Sequence, residues 1–289
     1  MKYAFIDEQR PHHALSVLCR VMEVSRSGYH DWRRGRDRSA SRRHARRAEI
    51  DTLVRELFEA KRARYGAPRL ACELRRRGQA LNRKTVAASL ARQGLRARAA
   101  KRFRATTNSR HSLPVYPDRL EQKFGTEGPN EKWVQDITYL WSDEGWSYLA
   151  VVIDLYSRGV IGWSLEASMS AELVCSALRM ALASRGHPRG VIVHSDRGSQ
   201  YCSNAFRGLV ENATLVGSMS RKGCCHDNAV AESFFHSLKI EAIHGERIGT
   251  REELQRRVFE YIELDYNRER LHSTLGYVSP SKFEQGEVA

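Results

Sequence analysis

The sequence predicts an α/β protein, a mixed five-stranded sheet with flanking helices, preceded by an all-α, basic, helix-turn-helix-like region. Apolar periodicity is helical up to about residue 98 and becomes strand-like from Trp133. Charge divides the chain in the same sense: residues 1–120 hold 30 basic and 11 acidic residues, whereas 121–289 hold 18 and 23. After Trp133 the elements run as three strands in hairpin order, then helix, strand, helix, strand and helix, an order that belongs to a mixed sheet with helices packed on it. A chain of 289 residues with 41% hydrophobic residues has ample material for a buried core and is not the composition of a disordered protein.

Ala14 to Met22 reads as a short helix, Glu23 to Ser27 as a turn and Arg26 to Arg34 as a second helix, a layout resembling a small helix-turn-helix. A longer candidate follows. An amphipathic helix from about Ala48 to Arg62 carries Ile50, Leu53, Val54 and Leu57; the breaker Tyr65-Gly66-Ala67-Pro68 leads to a helix from Arg69 to Arg77, and after Gly78 comes a helix from Asn82 to Gln93. Asn82 is the expected N-cap and Gly94 the expected residue just past the end. On that helix Val86 and Leu90 are expected to pack inward, leaving Arg83, Lys84 and Arg92 free to meet DNA. Residues 99–130 lose periodicity and gather Lys101, Arg102, Arg104, Pro114, Pro117, Gly125 and Pro129, the composition of a linker or loop whose basic residues are able to lie on DNA. The domains expected are 1–98 (helical, DNA-binding), 99–130 (linker), 131–245 (catalytic core) and 246–289 (a C-terminal helix and tail packed on the core, with Arg268, Arg270 and His272 available for DNA).

A net +19 on the first 120 residues would suit a polyanion, because each neutralised phosphate releases condensed counterions. Nucleic acid is therefore the leading partner class. No run of about 18 apolar residues occurs and MKYAFIDEQR lacks the layout of a secretory signal, which argues against membrane spanning and export and for a cytoplasmic protein. The six cysteines form no C-x-x-C pair, and Cys224-Cys225-His226 is too tight for one zinc site, so free thiols are expected.

In the second part, strands are expected at Trp133–Trp141, Tyr148–Asp154, Gly159–Ser164, Gly190–Ser195 and Thr214–Met219, with helices at about Ala171–Ser184 and Ser203–Glu211. Asp136 stands in the middle of the first strand, although Asp is depleted in strands and costly to bury unpaired. Asp196 directly follows Val191-Ile192-Val193-His194-Ser195, and in open α/β sheets ligands collect beyond the carboxyl ends of strands. The third acid, Glu232, lies on a helix that Asp227 is expected to cap. Its apolar face is Val230, Ala231, Phe234, Phe235 and Leu238, while Asn228, Glu232, His236 and Lys239 form a separate polar stripe able to deliver Glu232 to a sheet edge. A lone strand Asp is usually a turn cap or an ion-pair partner and a lone helix Glu is usually solvated; three acids from two strands and a helix make a hard, oxygen-rich site suited to Mg²⁺ or Mn²⁺. Two such ions can activate an attacking oxygen and stabilise the leaving oxygen of a phosphodiester. Asp154, at another strand end, is the rival fourth acid.

These residues sit in stretches that together resemble one family: Tyr65-Gly66-Ala67-Pro68-Arg69-Leu70, TTNSRHSLPVYPDRL, EKWVQDITYL, VIDLYSRGVIGW, HSDRGSQY, SRKGCCHDNAVAESFFHSLKIE and YNRERLHSTLGYVSP. The chain resembles the second-frame product (OrfB) of bacterial insertion-sequence transposases of the IS-three type, with a retroviral-integrase-like core. The resemblance implies an RNase H-like fold, an acidic triad at Asp136, Asp196 and Glu232 as both catalytic and metal-binding residues, and Lys239 on the DNA near the reacting end. It also implies Mg²⁺ (or Mn²⁺), two ions, double-stranded DNA of element ends and target as substrate, an OrfA product as fusion or partner, and a homo-multimer on DNA. The chain has no leucine-zipper heptads at its N-terminus, so alone it is expected to be an incomplete enzyme, and it lacks the His/Cys zinc module of retroviral integrases. The rival readings are an RNase H-type metal-dependent nuclease and a non-catalytic DNA-binding regulator; intact acids weigh against the second, and the basic N-terminal part against the first.

Overall fold

The computed structural model describes residues 1–98, 113–221 and 228–286, with 36–41 described by their backbone alone. The chain divides into two compact units, Met1–Ala97 and Arg98–Ala289.

The first unit is helical: α1 (Lys2–Gln9), α2 (Leu15–Val21), α3 (Arg26–Ala60), α4 (Ala67–Arg76) and α5 (Arg83–Arg92). Helix α1 was not anticipated, because KYAFIDEQ carries no apolar stripe and buries only Ile6, which joins Leu18, Cys19 and Tyr29 in a small core. The second helix and the amphipathic helix expected separately are one 35-residue helix, α3. Between Gly35 and Arg47 the sequence has no apolar face to announce a helix, but it is rich in Arg, which sustains one, and holds no proline to stop it. Ser25 caps α3 by accepting from the Gly28 N–H at 3.0 Å. The C-terminal half of α3 packs with α4 and α5 through Ile50, Val54, Leu57, Leu70, Leu74, Val86 and Leu90, all buried. Asn82 accepts from the Thr85 N–H at 2.9 Å and Gly94 adopts φ +66°, so α5 begins and ends where its cap residues direct. Arg83 and Lys84 are exposed. Arg92 is not free: its guanidinium grips Asp51 at 2.6 and 3.1 Å, and Ser89 shares the same carboxylate.

The second unit is built on a five-stranded sheet of order β3-β2-β1-β4-β5, with β1 (Lys132–Ser142), β2 (Gly145–Asp154), β3 (Val160–Glu166), β4 (Ile192–Ser195) and β5 (Val216–Met219). Strands β1, β2 and β3 run antiparallel as a meander, while β4 is parallel to both β1 and β5. Each face carries its own core. On one, Trp133, Ala150, Val152 and Val193 pack with α6 (Ala171–Ser184) and α7 (Asn204–Asn212). Gly162 allows α6 to reach β3, since a Cβ there would stand 2.3 Å from the Ala177 carbonyl oxygen and 2.6 Å from the Ala181 nitrogen. On the other face, Val134, Leu140, Leu149, Val151 and Ile153 pack with Ala231, Phe234, Phe235 and Leu238 of α8 (Ala229–Leu238) and with the C-terminal α9 (Arg251–Phe259). The five strands and the helices between them lie where the hydrophobic pattern placed them, within a few residues at each end.

Residues 113–131 form no helix or strand, but they are bound to the sheet: the Tyr116 ring lies over Gly217, the Arg119 N–H donates to Ser218 Oγ at 2.9 Å, and Leu120 is fully buried. Lys101, Arg102, Arg104, the Cys224-Cys225-His226 cluster and Asp227 lie outside the described residues. Among the described residues, no helix is long and apolar enough to cross a membrane.

Candidate active site

Strand register brings the first two acids together. Trp133 pairs with Val193 and Val134 with His194 across the parallel β1–β4 seam; Asp136 and Asp196 each lie two residues further on. Side chains alternate along a strand, so a step of two puts Asp136 on the face that Val134 occupies, while Asp196 follows directly on the end of β4, the strand beside it. Strand β4 ends at Ser195 while β1 continues to Ser142, leaving the second half of β1 with an unpaired edge.

Helix α8 packs on the sheet face that Val134 occupies and brings both of its ends to this edge. Asn228 at its start donates from Nδ2 to the Gln135 carbonyl oxygen at 3.2 Å, and Lys239 at its end sets its ammonium 4.9 Å from the centre of the Tyr139 ring. The apolar side of the helix is in the core, and Glu232 and Lys239 lie near enough for their charges to act on Asp136. Asn228 and Lys239 are buried; Glu232 and His236 are exposed.

The charges of these residues act on one another. Burial, the neighbouring Asp196 and the more distant Glu232 push the Asp136 carboxyl well above the usual carboxylate range, against the Ile137 N–H that Asp136 accepts at 2.8 Å and the charge of Lys239. Burial pulls the Lys239 ammonium down to about 8, opposed by Asp136. The buried Tyr201 phenol is pushed up by burial and then by the charges of Asp136 and Asp196. Asp196 is oriented by its own loop, accepting the Gly198 N–H at 2.9 Å in an Asx turn. Its strand neighbour His194 is fully buried between Ser218 Oγ (2.9 Å from Nδ1) and Ser220 Oγ (3.1 Å from Nε2). This support was missed from sequence, although the alternation Ser218-x-Ser220 signals a polar row on β5 opposite His194.

The acids share a locus but do not yet clasp a point: among the described residues, no three His, Cys, Asp or Glu side chains are grouped tightly enough to hold an ion. Their chemistry nonetheless suits a hard divalent cation, which would supply the positive charge that the raised Asp136 lacks.

Other candidates fall away. Asp154 is fully buried and accepts the backbone N–H groups of Asn130 and Tyr156, both at 2.9 Å, so it folds a loop. Arg270 was expected on the surface and is instead buried. It is bound to Glu241 (2.8 and 2.9 Å) and Ser237 (2.9 Å), because its segment folds back onto α8.

Comparison with known proteins adds the class. Residues 126–225 and 232–287 match family models for an integrase core domain, and residues 45–103 match one for an HTH-like domain. The chain is 53% identical over 289 residues, all of both chains, to the transposase InsF for insertion sequence IS3A of Escherichia coli (strain K12). It is 42% identical over 268 residues to an insertion element IS600 uncharacterized 31 kDa protein of Shigella sonnei, covering 93% of this chain and 97% of that one. Among solved structures, a simian T-cell lymphotropic virus intasome chain aligns at 16% identity with TM-score 0.47, over 79% of this chain and 73% of that one. The HTLV-2 integrase catalytic core domain in complex with magnesium aligns at 15% with TM-score 0.43, over 55% and 99%.

The site thus stands in an integrase-type core, the hallmark of polynucleotidyl transferases. The chain belongs to the IS3 family of insertion-sequence transposases.

Proposed function

We propose that Asp136, Asp196 and Glu232 are the catalytic acids and hold the divalent cations, two Mg²⁺ or Mn²⁺ ions, with which this transposase cuts and joins DNA at its element ends. The observation that carries this reading is that Asp136 on β1 lies within reach of the charges of Asp196, just past β4, and of Glu232 and Lys239 on α8 and at its end. When bound, such ions polarise the scissile phosphate and stabilise both the entering and the leaving oxygen.

The chain's own residues do the rest. Asp136 within β1 and Asp196 just past the end of β4 set where the phosphodiester lies, and Glu232 on α8 completes the ligand set from the solvent side. In cleavage a water oxygen bonds to phosphorus as the P–O3′ bond breaks, freeing a 3′-OH. In joining, that 3′-OH attacks a second phosphodiester, one P–O bond replacing another, with no covalent protein intermediate and no external energy source. Lys239 contacts the phosphate backbone near the reacting end. The helices around α5 bind duplex DNA through Arg83 and Lys84, continued by Lys101, Arg102 and Arg104 in the linker; Arg92 supports α5 through Asp51. Two element ends must be paired, so more than one copy acts on DNA, with an OrfA product as fusion or partner.

Glu232→Gln tests this reading. It removes one ligand charge from an exposed position, so strand transfer should fall by at least a hundredfold while DNA binding stays within about twofold of wild type. Retained transfer would refute the assignment.

A further inference from the structure

A buried charge pair stands beside the end of α8, on residues that the reaction as described does not use. Arg270 and Glu241 are each 5% exposed. The guanidinium donates from Nε to Glu241 Oε2 at 2.9 Å and from Nη2 to Oε1 at 2.8 Å, a two-pronged grip, and the same Nη2 donates to Ser237 Oγ at 2.9 Å. The Tyr261 hydroxyl donates to Glu241 Oε2 at 3.1 Å, and the centre of the Tyr266 ring lies 5.6 Å from the guanidinium carbon. A buried pair adds little net stability over apolar side chains of the same volume; what it can add is a defined arrangement.

The arrangement defined here is a junction. Helix α8 is regular as far as Leu238 and widens to an i→i+5 turn over Lys239–Ile243. Such turns are rare and concentrate at functional sites. Ser237 lies two residues before Lys239 and Glu241 two after it, so one guanidinium holds both sides of the change. Lys239 itself is buried, with its ammonium over Tyr139 and its charge acting on Asp136. Seven residues, about two turns of regular helix, separate Glu232 from Lys239, so the two share a side only while the helix widens no earlier than Lys239. An earlier start would turn Lys239 away from the side that carries Glu232.

We propose that Arg270 is a positioning residue for strand transfer: by holding Ser237 and Glu241 across the junction, it fixes where α8 widens and so keeps Lys239 on the side of Glu232, within reach of Asp136. This rests on the functional reading above for the parts that Glu232 and Lys239 play.

Variants of the full chain separate placement from stability. Arg270→Lys keeps a positive charge against Glu241 but puts one ammonium in place of the planar fork, which cannot span both partners in the same way. Arg270→Met/Glu241→Met/Tyr261→Phe removes the buried charges and the hydroxyl together and should melt at or above the wild-type temperature. Lys239→Ala removes the positioned group. Acetylation of the folded, DNA-free protein with an N-hydroxysuccinimide ester, followed by peptide mass spectrometry, reads the placement of Lys239 without turnover. Lys239 should be protected in wild type and should approach the labelling rate of the exposed Lys84 in Arg270→Lys and in the triple variant. Transfer by both should fall about 10- to 100-fold, as for a group misplaced by a remote change, with binding to element ends within about twofold of wild type. Lys239→Ala should lose at least as much, and adding Arg270→Lys to it should cost little more, because the two act in series.

Lys239 still protected in both Arg270 variants would overturn the proposal. So would a loss of transfer that follows a fall in melting temperature in the triple variant, or a loss from Arg270→Lys that adds in full to that of Lys239→Ala. The two readings fail separately: normal transfer by Glu232→Gln refutes the acid assignment, whereas normal transfer by Lys239→Ala overturns the role proposed for Arg270.

Discussion

Asp136 is a carboxylate that folding alone would not choose. It sits in a strand, part-buried, with two other acids near enough to raise its affinity for a proton. Asp136→Asn should therefore stabilise the protein at pH 7 by about 1 kcal/mol, some 2–4 °C in melting temperature, while abolishing strand transfer. A raised folded-state pKa means that the neutral form is favoured in the fold. Wild-type stability accordingly gains as pH falls through that pKa, and the advantage of the variant should shrink toward zero near the ordinary Asp value of 3.8. Mg²⁺ should raise the melting temperature of wild type and not of the variant, since only a ligand bound to the folded state stabilises it. Melting curves at several pH values, with and without Mg²⁺, check all three. Arg270 shows the opposite logic: Arg270→Ala would leave Glu241 charged and buried, at a penalty of about 3–5 kcal/mol, readable by denaturant titration.

At the scale of elements, the helix carrying Glu232 is anchored at both ends, by Asn228 on Gln135 at its start and by Glu241, just beyond its end, on Arg270 and Tyr261. The turn Lys239–Ile243 is widened to an i→i+5 pattern, with His244 N–H reaching the Lys239 carbonyl oxygen, as is Glu260–Tyr266 of the C-terminal segment that packs against it. Close approach of elements also governs the opposite face. Gly162→Ala would drive a methyl into the backbone of α6, where nothing can rotate away, and should lower stability by about 1–3 kcal/mol in equilibrium unfolding. Most of the strands were legible because apolar alternation and turn residues punctuate them, and α5 because Asn82 and Gly94 bracket it. The continuity of α3 was not legible, since a solvated Arg-rich helix has no apolar period. Nor were the widened turns or the Arg270–Glu241 pair, because contacts 29 residues apart leave no local signal. The acids could be found as rule-breakers, an Asp inside a strand and another at a strand end, but their convergence depends on a register that sequence does not state.

On the scale of the whole molecule, charge and acids are unevenly placed along the chain: residues 1–120 carry +19, and 121–289 carry −5 with the three proposed catalytic acids. If DNA affinity comes mainly from the basic part, binding should weaken steeply between 50 and 200 mM salt, by about 10³-fold or more for six or more phosphate contacts. Glu232→Gln should keep the same slope, because it leaves the basic surface unchanged. A flat salt dependence in a filter-binding or anisotropy titration would contradict this division. The central claim, that Asp136, Asp196 and Glu232 form one chemical site, is tested most directly by excision in cells. The element is placed on a plasmid with both reading frames supplied, and circles with joined ends are detected by PCR for wild type and Glu232→Gln. Circles from wild type alone are the predicted result; circles from both would place the chemistry elsewhere in the protein.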